Sequence, residues 1–345
     1  MEMNKKYLYI YAHCFVTSGR KRFSIYDSSI GKLYFFDNKY FTVTKLFRNN
    51  TLKSILSNNE DPTIFEFIKY LVNNGIATYV DNIDCFPAIS ETWDSPHTII
   101  RSMIDIRNTW HNFNDIFSQL SFLKCKEVEI HSYRILSINE IGEISSIIHK
   151  YDIELINFII PYSSEYFLVD DTNKISEIIS KDYRLKIFLY GISPIEKNQI
   201  QQLQKMYPSL YFNLFLFSCR IDSCQDCGNI DKDSIPFLTL QQYFEHKLFN
   251  GCLNRKISID ENGNIKNCPS MEKNWGNIKN TKLSEVCQNK EFLKFWNITN
   301  DQIEGCRNCE LRYLCSGCRA YIKDPHNLYS MPIKCKFLQN SEGVL

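Results

Sequence analysis

The chain has 345 residues, 44% of them hydrophobic, with forty basic against thirty-nine acidic side chains and a formal net charge of +1. That length predicts two or three folded units, and the balanced charge argues against a nucleic-acid partner, which normally requires a basic excess or stripe. The opening Met-Glu-Met-Asn-Lys-Lys leads into only a short apolar run, so neither a secretory signal nor a membrane span is expected, and fourteen cysteines without an export signal predict a reducing, cytoplasmic setting.

Three aromatic and β-branched runs, residues 7–16, 21–27 and 32–36, are separated by Ser18-Gly19 and Ile30-Gly31 breaks. They predict three strands joined by turns. Helical patterns follow at 41–47 and 52–56. A longer one carries Ile64, Ile68, Leu71 and Val72 on one face, opened by Asp61-Pro62 and closed by Asn74-Gly75. Residues 76–80 read as a strand. The order of elements in residues 1–80 resembles the winged-helix-like α+β module that peptide-modifying systems use to recognise leader peptides. Such a module binds by adding the leader as an edge strand. The competing reading is a plain α+β cap. Cys14, alone in an apolar strand, reads as a buried core thiol.

Residues 81–96, with two prolines and several acidic or small residues, read as a linker. Beyond it, strands at 98–106, 127–133, 153–160, 186–190 and 210–217 alternate with helices at 113–123, 138–149, around 175–179 and at 194–206. The fold class is therefore α/β, with residues 97–218 forming a parallel sheet buried on both faces, part of a (β/α) barrel. Asp105, Arg107, His111 and His131 fall near strand ends, where such folds place ligands; surface or capping duty is the competing role. Gly142 and Gly191 stand alone, so no phosphate-cradling loop and no ATP site are expected.

Residues 219–345 carry the metal chemistry, for eleven of the fourteen cysteines lie at or beyond Cys219. Cys306, Cys309, Cys315 and Cys318 have gaps of two, five and two residues, framed by Cys252, Cys268 and Cys335. Helix packing gives no reason for this spacing, whereas a tetrahedral metal or an iron–sulfur cluster does. A disulfide-bonded surface is the rival, disfavoured by paired spacings in a chain without an export signal. Cys224-Gln-Asp-Cys227 has the spacing of a metal knuckle or of a redox dithiol; it leads into loop-like sequence, which favours ligation. Cys287, beside Leu283, Val286 and Phe292, reads as core. Spacing alone leaves zinc and iron both open.

Cys252-Leu-Asn-Arg-Lys-Ile-Ser-Ile-Asp-Glu-Asn-Gly263-Asn-Ile-Lys-Asn-Cys268 resembles the opening of a SPASM domain, and the stretch from Cys306 to Cys335 resembles its close. The following WGNI and CRNCELRYLCSGCRAY are similar to the SPASM-domain maturases of grasp-with-spasm systems. In those, an ATP-grasp ligase modifies a ribosomally made precursor peptide. The resemblance implies two [4Fe–4S] clusters, with zinc as the alternative. It places Cys306, Cys309, Cys315 and Cys335 at one cluster. Cys252, Cys268 and Cys318 belong to the other, completed by Cys227 or Cys224, with Cys219 a weaker candidate. Radical S-adenosylmethionine enzymes, which commonly carry SPASM domains, place three cysteines just after the first barrel strand. Residues 104–113 hold none, and the nearest thiol is Cys125; no S-adenosylmethionine site is expected. The function implied is peptide maturation, with the precursor peptide and the ligase as partners. A zinc-stabilised adaptor, or an enzyme acting through an open cluster iron or the Cys224/Cys227 pair, are the alternatives.

Overall fold

The structure is a computed structural model that describes residues 6–59, 61–231 and 235–337. The N-terminal elements are β1 (Tyr7–Ile10), β2 (Cys14–Ser18), β3 (Arg22–Asp27), β4 (Lys32–Asp37), α1 (Phe41–Thr44), α2 (Leu52–Ser57), α3 (Thr63–Asn73) and β5 (Ala77–Val80). The apolar run at 7–16 makes two strands, not one. The Cys14 N–H donates to Tyr11 O at 2.8 Å, and this turn separates β1 from β2. β1 then pairs antiparallel with β5, while β2, β3 and β4 form a three-stranded meander. On α3, Ile64, Phe67, Ile68 and Leu71 recur at helical spacing and are all buried. They pack with Leu8, Phe23 and Ile25 into one small core. β4 ends the meander, and its Phe36 packs edge-on against Phe67 of α3 with ring centroids 5.2 Å apart.

Residues 81–96 contain one short turn, Ile83–Cys85, and are held against the C-terminal part. Lys247 Nζ lies 2.5 Å from Glu91, Arg255 donates to Ser95 O at 3.0 Å, and Trp93 packs on Phe249. The segment links, but it is strapped down.

The next stretch alternates as β6 (Arg101–Ile106), α4 (Phe113–Phe122), β7 (Glu127–Ser132), α5 (Ile138–Ile148), β8 (Leu155–Pro161), α6 (Val169–Lys181), β9 (Leu185–Tyr190), α7 (Pro194–Met206), α8 (Pro208–Asn213) and β10 (Leu214–Leu216). Ser137 with Glu140, and Ser193 with Glu196, close reciprocal capping boxes that start α5 and α7. The last strand is shorter than its aromatic sequence suggests. Pro208 presets the first turn of α8, so residues 208–213 are helical and leave Tyr211 and Phe212 exposed.

The C-terminal part adds α9 (Leu240–Leu248), β11 (Lys256–Ile259), β12 (Ile265–Lys266), α10 (Leu283–Val286) and α11 (Lys290–Lys294). β11 joins the parallel sheet beside β6, giving the order β10-β9-β8-β7-β6-β11-β12 with only β12 antiparallel. The sheet thus runs from the repeating βα unit into the cysteine-rich segment.

Its two faces differ, contrary to the expectation of apolar residues on both. Ile104, Ile130, Phe158, Ile187 and Ile259 share a row and are fully buried with residues of α4 and α5. The opposite face carries Lys256, Arg101 and Glu127 in register, with Glu129, His131 and Asp105 on adjoining positions. Strand alternation explains the split, since β7 reads Glu-Val-Glu-Ile-His-Ser. The mixed α/β architecture with a mainly parallel sheet agrees with the fold class read from sequence. Among the described residues, no helix is long and apolar enough to cross a membrane.

Candidate metal centre

Around Cys306 the backbone is organised by tight turns, not regular structure. Residues Cys306–Asn308 form a single 3-10 turn entered through Gly305, and the Cys309 N–H donates to Cys306 O at 2.9 Å. The Leu311 N–H points at Cys309 Sγ at 3.4 Å, the amide-to-sulfur contact typical of a metal knuckle. A second turn then brings the Cys315 N–H to Leu311 O at 3.1 Å. Cys335 arrives from far along the chain on an isolated parallel bridge to Ile230. The result is one cavity lined jointly by Cys306, Cys309, Cys315 and Cys335, with Ile230 and Phe337 among its apolar walls.

A second group forms next to it. Cys252 is held by its N–H, which donates to Ser316 O at 2.9 Å and to Asn250 Oδ1 at 3.1 Å. Cys268 follows the β11–β12 hairpin. That turn needs Gly263 at φ +84, with Asp260 Oδ1 accepting from the N–H groups of Asn262 and Asn264. Cys227 is placed by Lys334, whose Nζ donates to Gln225 O and Cys227 O. The adjoining Gly228 has φ +85, and a Cβ there would lie 2.6 Å from the Tyr321 ring and 3.4 Å from Cys318 Sγ. Only glycine lets this loop approach. Cys227 and Cys252 both act electrostatically on Cys268 and on Cys318, so the four thiols share one neighbourhood.

Cys224 stands apart from that group. Its thiol faces Ser270, Asp105 and Lys266, and its carbonyl accepts from Ser270 Oγ at 2.8 Å and Tyr321 OH at 3.1 Å. Cys219 is exposed. All fourteen thiols are unpaired in this structure. Cys14 and Cys125 are buried and Cys287 packs against the main core.

Two buried cations face the thiols. Lys256 on β11 is 6% exposed; burial alone would push its pKa down, but Cys252, Cys268 and Glu129 outweigh that and hold it up. Arg319 is 3% exposed, and its donors reach Gly317 O, Leu328 O and Ser330 O. Its Nη2 is buried without a partner, while burial, opposed by Cys306, Cys318 and Cys315, pulls its pKa down. A buried cation with an idle donor is costly unless negative charge lies nearby. Two sets of four thiols beside these cations therefore fit anionic tetrathiolate centres, whether iron–sulfur or zinc.

Without metal the same burial keeps the thiols neutral. It pushes Cys309 up to about 11, and Cys315 and Cys268 up to about 12, from 9.0. A thiol with a raised folded-state pKa stabilises the metal-free fold fully below its unfolded value, and that contribution fades as pH climbs through the folded value. The metal-free chain is thus expected to lose its melting transition between pH 9 and about 12. Thiolate absorbance should rise along with the loss of ellipticity. A transition temperature unchanged across that range would contradict it.

Among the strand-end residues singled out by sequence, Asp105 is 2% exposed and accepts from Tyr133 OH at 3.2 Å, and burial pushes its pKa up to about 6. Arg107 pairs with Glu261 at 2.5 Å and donates to Asp222 O, so it ties the sheet to the cysteine-rich segment. His111 is buried, with Nε2 at 2.8 Å from Asp105 O, and His131 pairs with Glu129. Sequence reasoning passed over Lys256 and Arg319. Their signal was weak but present: a lysine at an inward strand position, and an arginine directly after Cys318.

Residues 252–310 match the family model of SPASM, described as an iron–sulfur cluster-binding domain. The chain thus carries a SPASM-type segment, whose family description is iron–sulfur cluster binding. The match takes in Cys252, Cys268, Cys306 and Cys309 as well as the core-packed Cys287; the structure adds Cys315, Cys318, Cys335 and Cys227 to the neighbourhoods of the first four. No curated protein matches the chain.

Proposed function

We propose that this chain is an iron–sulfur protein acting in the maturation of a ribosomally synthesised peptide. It binds the precursor, an ATP-grasp ligase, or both. Cys306, Cys309, Cys315 and Cys335 would hold one [4Fe–4S] cluster, and Cys227, Cys252, Cys268 and Cys318 the other. The observation that carries this reading is the pairing of two complete four-thiol groups with a matched SPASM segment. Bound clusters would supply structural support or electron transfer. Four thiols per group would supply a ligand to each iron of a bound cluster, which favours these roles over Lewis-acid work at an open iron. The residues of the chain itself position the sulfurs, give the first cavity apolar walls in Ile230 and Phe337, and offset the charge through Lys256 and Arg319.

Recognition of the precursor falls to the N-terminal module. β4 is the terminal strand of its sheet, and Phe35 on it is 40% exposed beneath the Arg22 guanidinium at 3.8 Å. Tyr34 and Phe36 lean on Tyr70 of α3, so an added strand would lie along an aromatic groove. The full chain is expected to bind a leader peptide at about micromolar affinity, roughly −8 kcal/mol. Phe35→Pro should weaken binding by removing a backbone donor, with the fold checked by circular dichroism. Deleting the gene should leave the precursor unmodified by intact-peptide mass, with the ligase still present. Stoichiometric zinc without acid-labile sulfide would overturn the iron assignment, and normal modification in the deletion strain would overturn the role.

A further inference from the structure

A third cluster of metal-competent side chains lies in the N-terminal module, where β2 begins. Cys14 opens β2 and stands directly opposite Asp27, the last residue of β3, in the antiparallel register. His13 precedes Cys14. One donor atom from each of His13, Cys14 and Asp27 lies within 4.8 Å of the other two. His13 Nε2 is 3.7 Å from Asp27 Oδ1, too long for a hydrogen bond. Bonds of 2.0–2.3 Å in a tetrahedral site give ligand-to-ligand edges of about 3.3 to 3.8 Å. Nitrogen and oxygen ligands fall at the lower end, and the histidine–aspartate edge is a few tenths of an ångström longer than that.

The surroundings orient these groups. Asp27 Oδ1 accepts from Ser29 N at 2.9 Å and Ser29 Oγ at 2.6 Å, which fixes the carboxylate as outer hydrogen bonds fix metal ligands. The His13 ring stacks on Tyr11 at 5.4 Å and nearly parallel. Asp27 and Cys14 are 4% and 6% exposed, whereas the His13 side chain is 41% exposed. Cys14 also lines a cleft walled by Tyr11, Phe15, Tyr243 and Lys247, so an ion has a route in. A capped turn explains the Asp27–Ser29 contacts, and a core position explains the burial of Cys14. Neither explains why an imidazole, a thiol and a carboxylate converge.

We infer that His13, Cys14 and Asp27 bind one zinc-class divalent cation, with the fourth position left to solvent or to a donor group of a bound molecule. A thiolate, an imidazole and a carboxylate together suit zinc or cobalt better than magnesium or calcium, which take oxygen ligands, and better than an iron–sulfur cluster, which takes thiolates. The site is independent of the two thiol groups proposed to hold iron.

The test uses the full chain after anaerobic iron–sulfur reconstitution, equilibrated with zinc chloride and freed of excess by gel filtration. Elemental analysis should find one more zinc per chain in the wild type than in His13→Gln or Cys14→Ser, with iron equal in all three. Zinc titration should show at least tenfold weaker binding in His13→Gln. Cobalt substitution should give an X-ray absorption edge fit with one sulfur, lost in Cys14→Ser. If Cys14→Ser fails to fold, His13→Gln decides, since its ring is largely outside the core. Were the cysteine-rich segment to take zinc instead of iron, total zinc would rise but the difference of one would persist. Equal zinc in wild type and His13→Gln overturns the site.

Discussion

Cys227→Ala is expected to halve the bound iron, while Cys224→Ala leaves iron content unchanged. The two cysteines are three residues apart, and sequence spacing treats them alike. The structure does not. Cys227 is itself exposed, but Gly228 packs against Tyr321 and Lys334 clamps the Cys227 carbonyl, which sets its thiol beside Cys252, Cys268 and Cys318. Cys224 is turned toward Asp105 and Ser270 by the short Cys224–Asp226 turn. Removing one thiolate from a four-cysteine centre leaves an iron exposed to solvent and the cluster open to loss. Iron and acid-labile sulfide per chain, measured after anaerobic reconstitution, decide the matter. Retention of full iron in Cys227→Ala with loss in Cys224→Ala would reverse the assignment.

Cys309→Ala should empty the other site and carry a large stability cost with it. The segment from Cys306 to Cys318 has little regular hydrogen bonding of its own, so metal binding supplies folding free energy there. For structural metal sites that term reaches about 10 kcal/mol or more, and losing a ligand is expected to forfeit several kcal/mol of it. The damage should travel. Arg312 donates to Ser18 O, Arg22 pairs with Glu310 at 2.6 Å, and Ser24 Oγ donates to Glu310 O at 2.6 Å. These bonds fasten β2 and β3 to the turns around Cys309. The variant should therefore show about half the iron, a lower melting temperature, and faster proteolysis near residues 18–24. Full iron with an unchanged melting temperature would refute the proposed ligand role.

Much of this architecture could be read from periodicity. α3 shows its apolar face every third or fourth residue, and β7 alternates so plainly that its two faces can be assigned from six letters. The thiol spacing likewise points to a metal centre, and the fold brings Cys306, Cys309 and Cys315 to one cavity. What escaped depends on contacts distant in sequence. Residues 210–213 look β-like through Tyr211 and Phe212, yet Pro208 at the first turn makes them helical. The choice between Cys224 and Cys227 rests on Lys334, more than a hundred residues away. The convergence of His13, Cys14 and Asp27 is a product of strand register. Lys256 gains its place on the charged face only through the pairing of its strand with β6.

That pairing has a further consequence. β11 begins four residues after Cys252 and covers the side of β6 that β7 does not. Anything that empties the site near Cys252 loosens the strand that shields β6. An uncovered strand of a parallel sheet, with its backbone donors and acceptors unpaired, is a template for the same strand in another molecule. Starving the cell of iron or exposing the protein to oxidants would then show itself first as insoluble material, before any activity is missed. Growth conditions would decide whether this protein is recovered from the supernatant or the pellet.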